Sequence, residues 1–428
     1  MPGVNRRQII KTVGTASIAG LAGCSSNGSS GNNEGGGKQT ITYRDREDPF
    51  TSMAKAYNSS QSKVHVNPSI KPEKSKYRSL IAQITAGNAP QVIGLDVVYL
   101  PRFVQLGALA DLTSYYNKKS YTDEIFQPLT RDFIRWNDKV YAMPYWIDCS
   151  LYLYNKQHYK KAGLDPEKPP ETWDEFLNAC KKLKAAGYTP LSNTLGMLGL
   201  EIFFFMPFVW AGGGKLFNDE MSKSLIDQQP AVDALKFFKK LQDKGYTTDQ
   251  TQNEHFTYPP FESGKASMAF SGAGVGEIKD QSPDVYKNMG TAMFPKPEGG
   301  QHSSFLGGDC VVITKQTTQN QGAFDASEKF VDWIHSEDGM NTMASSTGYL
   351  PSLKSGFDGE YITQHKSLYE PYKKALENGH APPMHPKLIQ MQQPLNDALV
   401  RALQGKQSPE KALSQAADSI TKVLQSSQ

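Results

Sequence analysis

A chain of 428 residues is too long for one compact core, so two domains are the first expectation. Lys and Arg number 46 against 43 Asp and Glu, a formal net charge of +3, and this near balance gives no electrostatic case for nucleic acid or a strongly acidic partner. The cysteines Cys24, Cys149, Cys180 and Cys310 show no CxxC or Cys/His spacing and the histidines form no HExxH, which argues against a metal centre.

Residues 1–24 read as an address. Arg6-Arg7 precede a short apolar run, Val13 to Leu21, too short to span a bilayer. The run ends in Leu21-Ala22-Gly23-Cys24, which looks like a lipobox whose cysteine is acylated and becomes the new N-terminus. Residues 25–38 follow as a Ser/Asn/Gly linker that buries no core. Together these predict a twin-arginine lipoprotein signal, with a Sec route as the alternative. They also predict an extracytoplasmic chain held by lipid on Cys24 to the outer face of the cytoplasmic membrane. Setting Cys24 aside leaves three cysteines, with room for one disulfide.

From Thr40 the pattern alternates between strand and helix. Thr40 to Tyr43 and Val64 to Pro68 read as strands around a helix from Phe50 to Tyr57. Lys74 to Gly87 is a helix with Tyr77, Leu80, Ile81 and Ile84 on one face, and Ala89 to Leu95 returns as a strand. This rhythm predicts a mostly parallel sheet, with ligand beyond the carboxyl ends of its strands, at Arg44 to Asp48 and Asp96 to Tyr99. Asp96 taken alone reads as a helix N-cap ahead of Val97.

Lys139 to Lys156 organises the rest. Two strand-like runs, Val140 to Met143 and Ser150 to Tyr154, flank Pro144-Tyr145-Trp146-Ile147-Asp148. Pro144 has no N–H for a ladder and marks an edge or a crossing. Two aromatics beside a carboxylate form a stacking platform next to an acceptor, which suits a polyol or sugar.

Several segments carry a resemblance. Tyr141, Pro144, Asp148, Leu151, Tyr154-Asn155-Lys156 and Gly163 resemble "YxxPxxxDxxxLxYNKxxxxxxG", with the leucine one place early; Thr172-Trp173-Asp174-Glu175-Phe176 matches "TWDEF" and carries a capping box; Phe261 to Gly272 is similar to "FxxGKAAMxxxG"; and Gly348-Tyr349-Leu350-Pro351 matches "GYLP". From about Thr40 to the end the chain resembles the maltose-binding type of extracytoplasmic solute-binding protein of ABC importers. The resemblance implies an α/β, two-lobe periplasmic-binding-protein fold of type II, with a hinge crossed three times. It places residues 39–147 plus 304–347 in one lobe and 148–303 plus 348–428 in the other. Crossings are expected near Ile147 to Cys149, Gln301 to Phe305 and Ser346 to Pro351.

The same resemblance implies a ligand site of Arg46, Asp96, Tyr99, Tyr145, Trp146, Asp148, Glu201, Phe203 (or Phe204), Trp210, Gly212, Gly213, Gly274, Gly308, Asp309 and Tyr349. Phe205 and Phe208 read as core. The family's usual tryptophan after Gly272 is missing; Ala273-Gly274-Val275 stand there. The function implied is capture of a sugar or oligosaccharide and delivery to ABC permease subunits, by a monomer with no cofactor, no metal and no nucleic acid. Alternatives are a polyol or glycerol-phosphate-type ligand, with Arg44, Arg46 and Arg102 as cations, and a secreted glycoside hydrolase. Enzyme motifs are absent: Gly272 to Gly276 lacks GxGxxG spacing, Gly212-Gly213-Gly214-Lys215 is followed by Leu216, and there is no GxSxG elbow. Asp96 and Asp148 as acid and base use the residue types that sugar binding also uses.

Overall fold

Short β-rich runs separated by amphipathic helices become twelve strands among the described residues. In chain order they are β1 Gln39–Asp45, β2 Val64–Ile70, β3 Val92–Asp96, β4 Arg135–Trp136, β5 Lys139–Val140, β6 Met143–Cys149, β7 Leu151–Asn155, β8 Thr189–Ser192, β9 Ala266–Ser271, β10 Met289–Ala292, β11 Leu306–Ile313 and β12 Leu350–Pro351. The computed structural model describes residues 38–45, 50–71, 73–127, 129, 133–192, 195, 198–199, 201–248, 259–272, 275, 278–279 and 282–426. The expected signal with Cys24 and the linker up to residue 37 lie outside them, as do Arg46 and Gly274.

Two sheets carry the architecture. The first has six strands in the order β12-β6-β11-β3-β1-β2, the second four in the order β10-β7-β9-β8. In the first sheet β1 runs parallel to β2 and β3, and β11 runs antiparallel to both β3 and β6. Every residue of β11, LGGDCVVI, is buried, as befits a central strand covered on both faces. One core gathers Tyr43, Phe50, Leu95, Phe103 and Phe330; a second gathers Tyr152, Phe176, Phe204, Phe208, Phe238 and Phe270. Ala269 and Met289, from the second sheet, belong to the first core, so the two lobes share packing at their junction.

Local signals explain the helices. Thr172 and Glu175 form the expected capping box on the helix Trp173–Ala185, satisfying two orphan N–H groups reciprocally. Trp173 then donates through Nε1 to the Pro295 carbonyl at 3.0 Å and stacks on Phe237 with centroids 4.9 Å apart, which fixes the helix to its lobe.

Two segments differ from expectation. Pro144 lies inside β6 rather than at an edge or crossing. The register between β6 and β11 shifts between Asp309 and Cys310, so Pro144 sits at a bulge, where a strand tolerates a residue without an N–H. Its carbonyl accepts from His335 Nε2 at 2.9 Å. The second is Leu350-Pro351, where only a crossing is expected: it also pairs as the outer strand of the first sheet with Ile147 and Trp146.

The chain leaves the first sheet at Ser150, between β6 and β7, and re-enters it after Ser304-Phe305. Phe305 N donates to Ser150 Oγ at 2.9 Å and Ser304 Oγ to the Ser150 carbonyl at 2.6 Å. Gly379-His380 lies against this re-entry: His380 N donates to the Ser304 carbonyl at 2.9 Å, and Leu306 N to the His380 carbonyl at 2.8 Å. The helix Lys366–Asn378 before it is bonded to the second sheet, its Leu368 carbonyl accepting from Thr291 Oγ1 at 2.7 Å and its Tyr372 hydroxyl donating to the Gly272 carbonyl at 2.8 Å. Beyond it the helices Leu388–Leu403 and Pro409–Gln425 pack into the second core.

Candidate functional site

Because β3 and β6 are both antiparallel to β11, they point the same way, and β1 is parallel to β3. Their carboxyl ends, Asp45, Asp96 and Cys149, therefore share one end of the sheet. There Asp309 pairs with Asp96 on one side and Trp146 on the other, Gly308 with Ile147, and Gly307 with Asp148. Three segments distant in sequence thus bring five candidates together: Asp96, Trp146, Asp148, Gly308 and Asp309.

Asp96 closes β3 and caps the turn Val97–Tyr99, its Oδ1 accepting from Val98 N at 3.1 Å. Tyr99, at the end of that turn, stacks on Tyr77 at 3.6 Å between centroids. Trp146 is 3% exposed and stacks on Tyr349 at 4.2 Å, with Phe50 behind at 6.1 Å. Tyr349 is only partly buried and forms the outer ring of this platform. Gly308 has φ +119°, and a Cβ there would lie 2.3 Å from the Trp146 carbonyl oxygen, so β6 and β11 meet this closely only with glycine. Asp148 is partly buried, and a Cβ on Gly272, at the end of β9, would lie 2.6 Å from its Oδ1. The second lobe therefore approaches the first at this carboxylate.

Tyr145 is placed elsewhere. It is fully buried, and its hydroxyl donates to Asp45 Oδ2 at 2.6 Å, beside Tyr43, whose hydroxyl donates to the same oxygen. Burial first, and then the charge of Asp45, push both phenols well above their usual range, so both stay protonated donors. Asp309, 1% exposed, lies close enough for its charge to push the same way. Gly94 makes the cluster fit, since its Cβ would fall 2.1 Å from Asp45 Oδ2. The ring expected as a stacking surface is here a buried support for the sheet end.

From the second lobe, Glu201 opens a π-helical turn, Glu201–Phe205, ahead of the helix Met206–Ala211. Such turns concentrate at functional positions. The carboxylate is 1% exposed: Oε2 accepts from Gly199 N at 2.8 Å, Oε1 has no partner among the described residues, and burial raises its pKa to about 7. Phe203 packs on Phe305 at 4.0 Å, whereas Phe204 is fully buried in the second core, so Phe203 is the ring of this pair that reaches the crossing. Trp210 stacks on His380 at 5.0 Å and, with Gly212 and Gly213, lines a cavity of about 810 Å³ floored by Trp173 and Phe237. Gly212 ends the helix Met206–Ala211, and Gly213 has φ +81°. Val98 packs against both cores, which puts the Asp96 turn where the lobes meet.

Residues 43–341 match the family described as bacterial extracellular solute-binding protein. The chain belongs to that family. The cyclic α-maltosyl-1,6-maltose binding protein of Arthrobacter globiformis superposes with a TM-score of 0.78 at 26% identity, covering 91% of this chain and 99% of that one. The sugar-binding protein MalE of Xanthomonas citri gives 0.80 at 20% identity over 90% and 97%. The sn-glycerol-3-phosphate-binding periplasmic protein UgpB of Shigella flexneri is 22% identical over 407 residues, 87% of this chain and 88% of its own. The fold of this solute-binding protein is therefore the two-lobe, type II periplasmic-binding architecture, in a family defined by binding.

Among its described residues, no helix is long and apolar enough to cross a membrane and no cluster of His, Cys, Asp or Glu has the makings of a metal site. Cys149, Cys180 and Cys310 are buried free thiols. What sequence reasoning missed in this solute-binding protein is the Tyr43–Asp45–Gly94–Tyr145 cluster. Asp45 stands at a strand end that the sequence does single out, but its partner Tyr145 lies 100 residues away.

Proposed function

We propose that this solute-binding protein captures a sugar or oligosaccharide between its lobes and delivers it to ABC permease subunits in the membrane. The observation that carries the reading is the row Asp96–Asp309–Trp146, with Tyr349 stacked on the tryptophan: hydroxyl acceptors beside an aromatic platform. Asp96, Tyr99, Trp146, Asp148 and Tyr349 line the first lobe's side, with Gly308 and Asp309 supporting them. Glu201, Phe203 and Trp210 line the second, with Gly212 and Gly213 shaping the wall. The lobe boundaries fall at Ser150, at Ser304-Phe305 and after Pro351, since the helix Lys366–Asn378 is bonded to the second sheet through Leu368 and Tyr372. The carboxylates accept hydroxyl protons rather than serve as acid and base, so the sugar leaves intact. Acylation of Cys24 holds the monomer to the outer face of the membrane, after export directed by Arg6-Arg7.

The Shigella relative's name favours a glycerol-phosphate ligand as the second reading. Such a ligand needs cations in the row. Arg44 is instead buried beneath the helix Glu73–Thr85, and Arg102 is exposed on the helix Leu100–Gln105, so neither of these two supplies a cation to the row; Arg46, the third candidate, lies outside the described residues.

A thermal-shift screen of the full chain against saccharides, polyols and glycerol phosphates tests this, because a ligand of the folded state raises the midpoint by mass action. A saccharide should respond and be recovered uncleaved. Asp148→Ala should then weaken its binding at least about tenfold, the value of one charge-assisted hydrogen bond, with little change in unliganded Tm. Response to glycerol phosphates alone would overturn the ligand class, and cleavage of the sugar would overturn the binding role.

A further inference from the structure

Arg44 alternates on β1 with Tyr43 and Asp45 and so projects from the opposite face, beneath the helix Glu73–Thr85. Its Nη1 donates to Ser79 Oγ at 3.5 Å, Nε has no hydrogen-bond partner, and among the described residues no carboxylate pairs with it. Yet the residue is 2% exposed. Among the described residues it therefore lacks a counter-charge, which is costly for a buried cation, and a guanidinium does not escape the cost by losing its proton. Burial lowers its pKa from an ordinary value too high for neutral pH to matter.

On the same helix Gln83 Oε1 is also buried and without a partner. Both side chains line one cavity of about 460 Å³, together with Thr42, Ser69, Gln91 and Gln316. Gln91 gives its Oε1 to Thr42 N at 2.8 Å, which leaves its amide nitrogen as a donor. The cavity lies at the entry of β3, and Asp96 closes the other end of that strand, so this is a different place from the interlobe row.

The two orphan atoms ask for different things. Arg44 calls for an anion, whereas Gln83 Oε1 calls for a hydrogen-bond donor. The helix Glu73–Thr85 ends at the cavity, where Gly87 and Asn88 line it, so the helix presents the negative end of its dipole and repels a bare anion. Carboxylates and sulfate are bare anions at neutral pH. Hydrogen phosphate carries both negative oxygens and a P–OH.

We propose that this cavity is a binding site for a hydrogen phosphate group, its anionic oxygens on Arg44 and its P–OH donating to Gln83 Oε1. Equilibrium dialysis of the full chain against labelled inorganic phosphate, at neutral pH and fixed ionic strength, should show one saturable site. Unlabelled sulfate should compete at least about tenfold less well than unlabelled phosphate, the difference of one charge-assisted or buried hydrogen bond. Methyl phosphate, whose second pKa lies at about 6 and which is therefore mostly a dianion without a P–OH at neutral pH, should compete less well than phosphate; equal competition would overturn the P–OH assignment. Arg44→Gln should abolish binding. Gln83→Leu should weaken it at least about tenfold while leaving Tm unchanged or raised, since it removes an unsatisfied acceptor; this variant carries the test if Arg44→Gln does not fold. No saturable phosphate, equal competition by sulfate, or wild-type binding by Gln83→Leu would each overturn the proposal.

Discussion

Glu201 shows what one residue contributes. In an unfolded chain its carboxyl titrates near 4.5; in the fold burial holds it protonated up to about 7. The native state therefore binds an extra proton between those values. The stabilisation is whole below about pH 4.5 and is lost as pH rises through 7, and it amounts to at most about 3 kcal/mol. Unfolding midpoints of the unliganded protein should fall between pH 5 and pH 8, and Glu201→Gln, neutral throughout, should flatten that slope. An equal slope in both proteins would mean that other groups carry it. The residue types at this site were legible: a carboxylate and aromatics at Glu201 to Trp210, and Trp146 beside Asp148. Which ring faces which way was not. Tyr145 and Trp146 are neighbours in sequence, and pleating sends the first to Asp45 and the second to Tyr349.

At the scale of elements, the closest fit is between β6 and β11. Gly308→Ala places a Cβ 2.3 Å from the Trp146 carbonyl in a backbone region that L residues rarely adopt, so the strands must separate. It should cost at least about 2 kcal/mol, read as a lower denaturant midpoint, with saccharide binding lost in step. Gly107→Ala is the control: φ is +64° but nothing lies within 4 Å, and the cost should stay near 1 kcal/mol. A midpoint for Gly308→Ala no lower than for Gly107→Ala would refute the close-approach argument. Helix limits were readable because periodicity and caps are local: Lys74 to Gly87 was expected and Glu73–Thr85 is found. Leu350-Pro351 was not readable in the same way. The turn at Gly348, φ +73°, ends the preceding helix as its motif suggests, but the strand after it takes its place from Ile147 and Trp146, some 200 residues earlier.

At the scale of the molecule, the question is where two lobes bend. Ser150, Ser304-Phe305 and Gly379-His380 are short passages bonded to one another, through Ser304 Oγ to the Ser150 carbonyl, Phe305 N to Ser150 Oγ and His380 N to the Ser304 carbonyl. These bonds tie the passages together at the junction of the two sheets. Hinges of this kind absorb motion in a few backbone dihedrals while each core moves as a body. Phe203 and Trp210 touch Phe305 and His380, so the second lobe's aromatic wall is mounted directly on the pivot. A sugar held by both walls then favours the arrangement that brings them together, in proportion to its difference in affinity for the two states. Small-angle scattering should show the radius of gyration fall as saccharide saturates the protein, with no fall for Asp148→Ala at the same concentration. Ser150→Ala strands the buried Phe305 N–H, so it should lower Tm by roughly the 1–3 kcal/mol of an orphaned donor while leaving the scattering change in place. Scattering that stays constant at saturation would show that ligand is held without lobe movement.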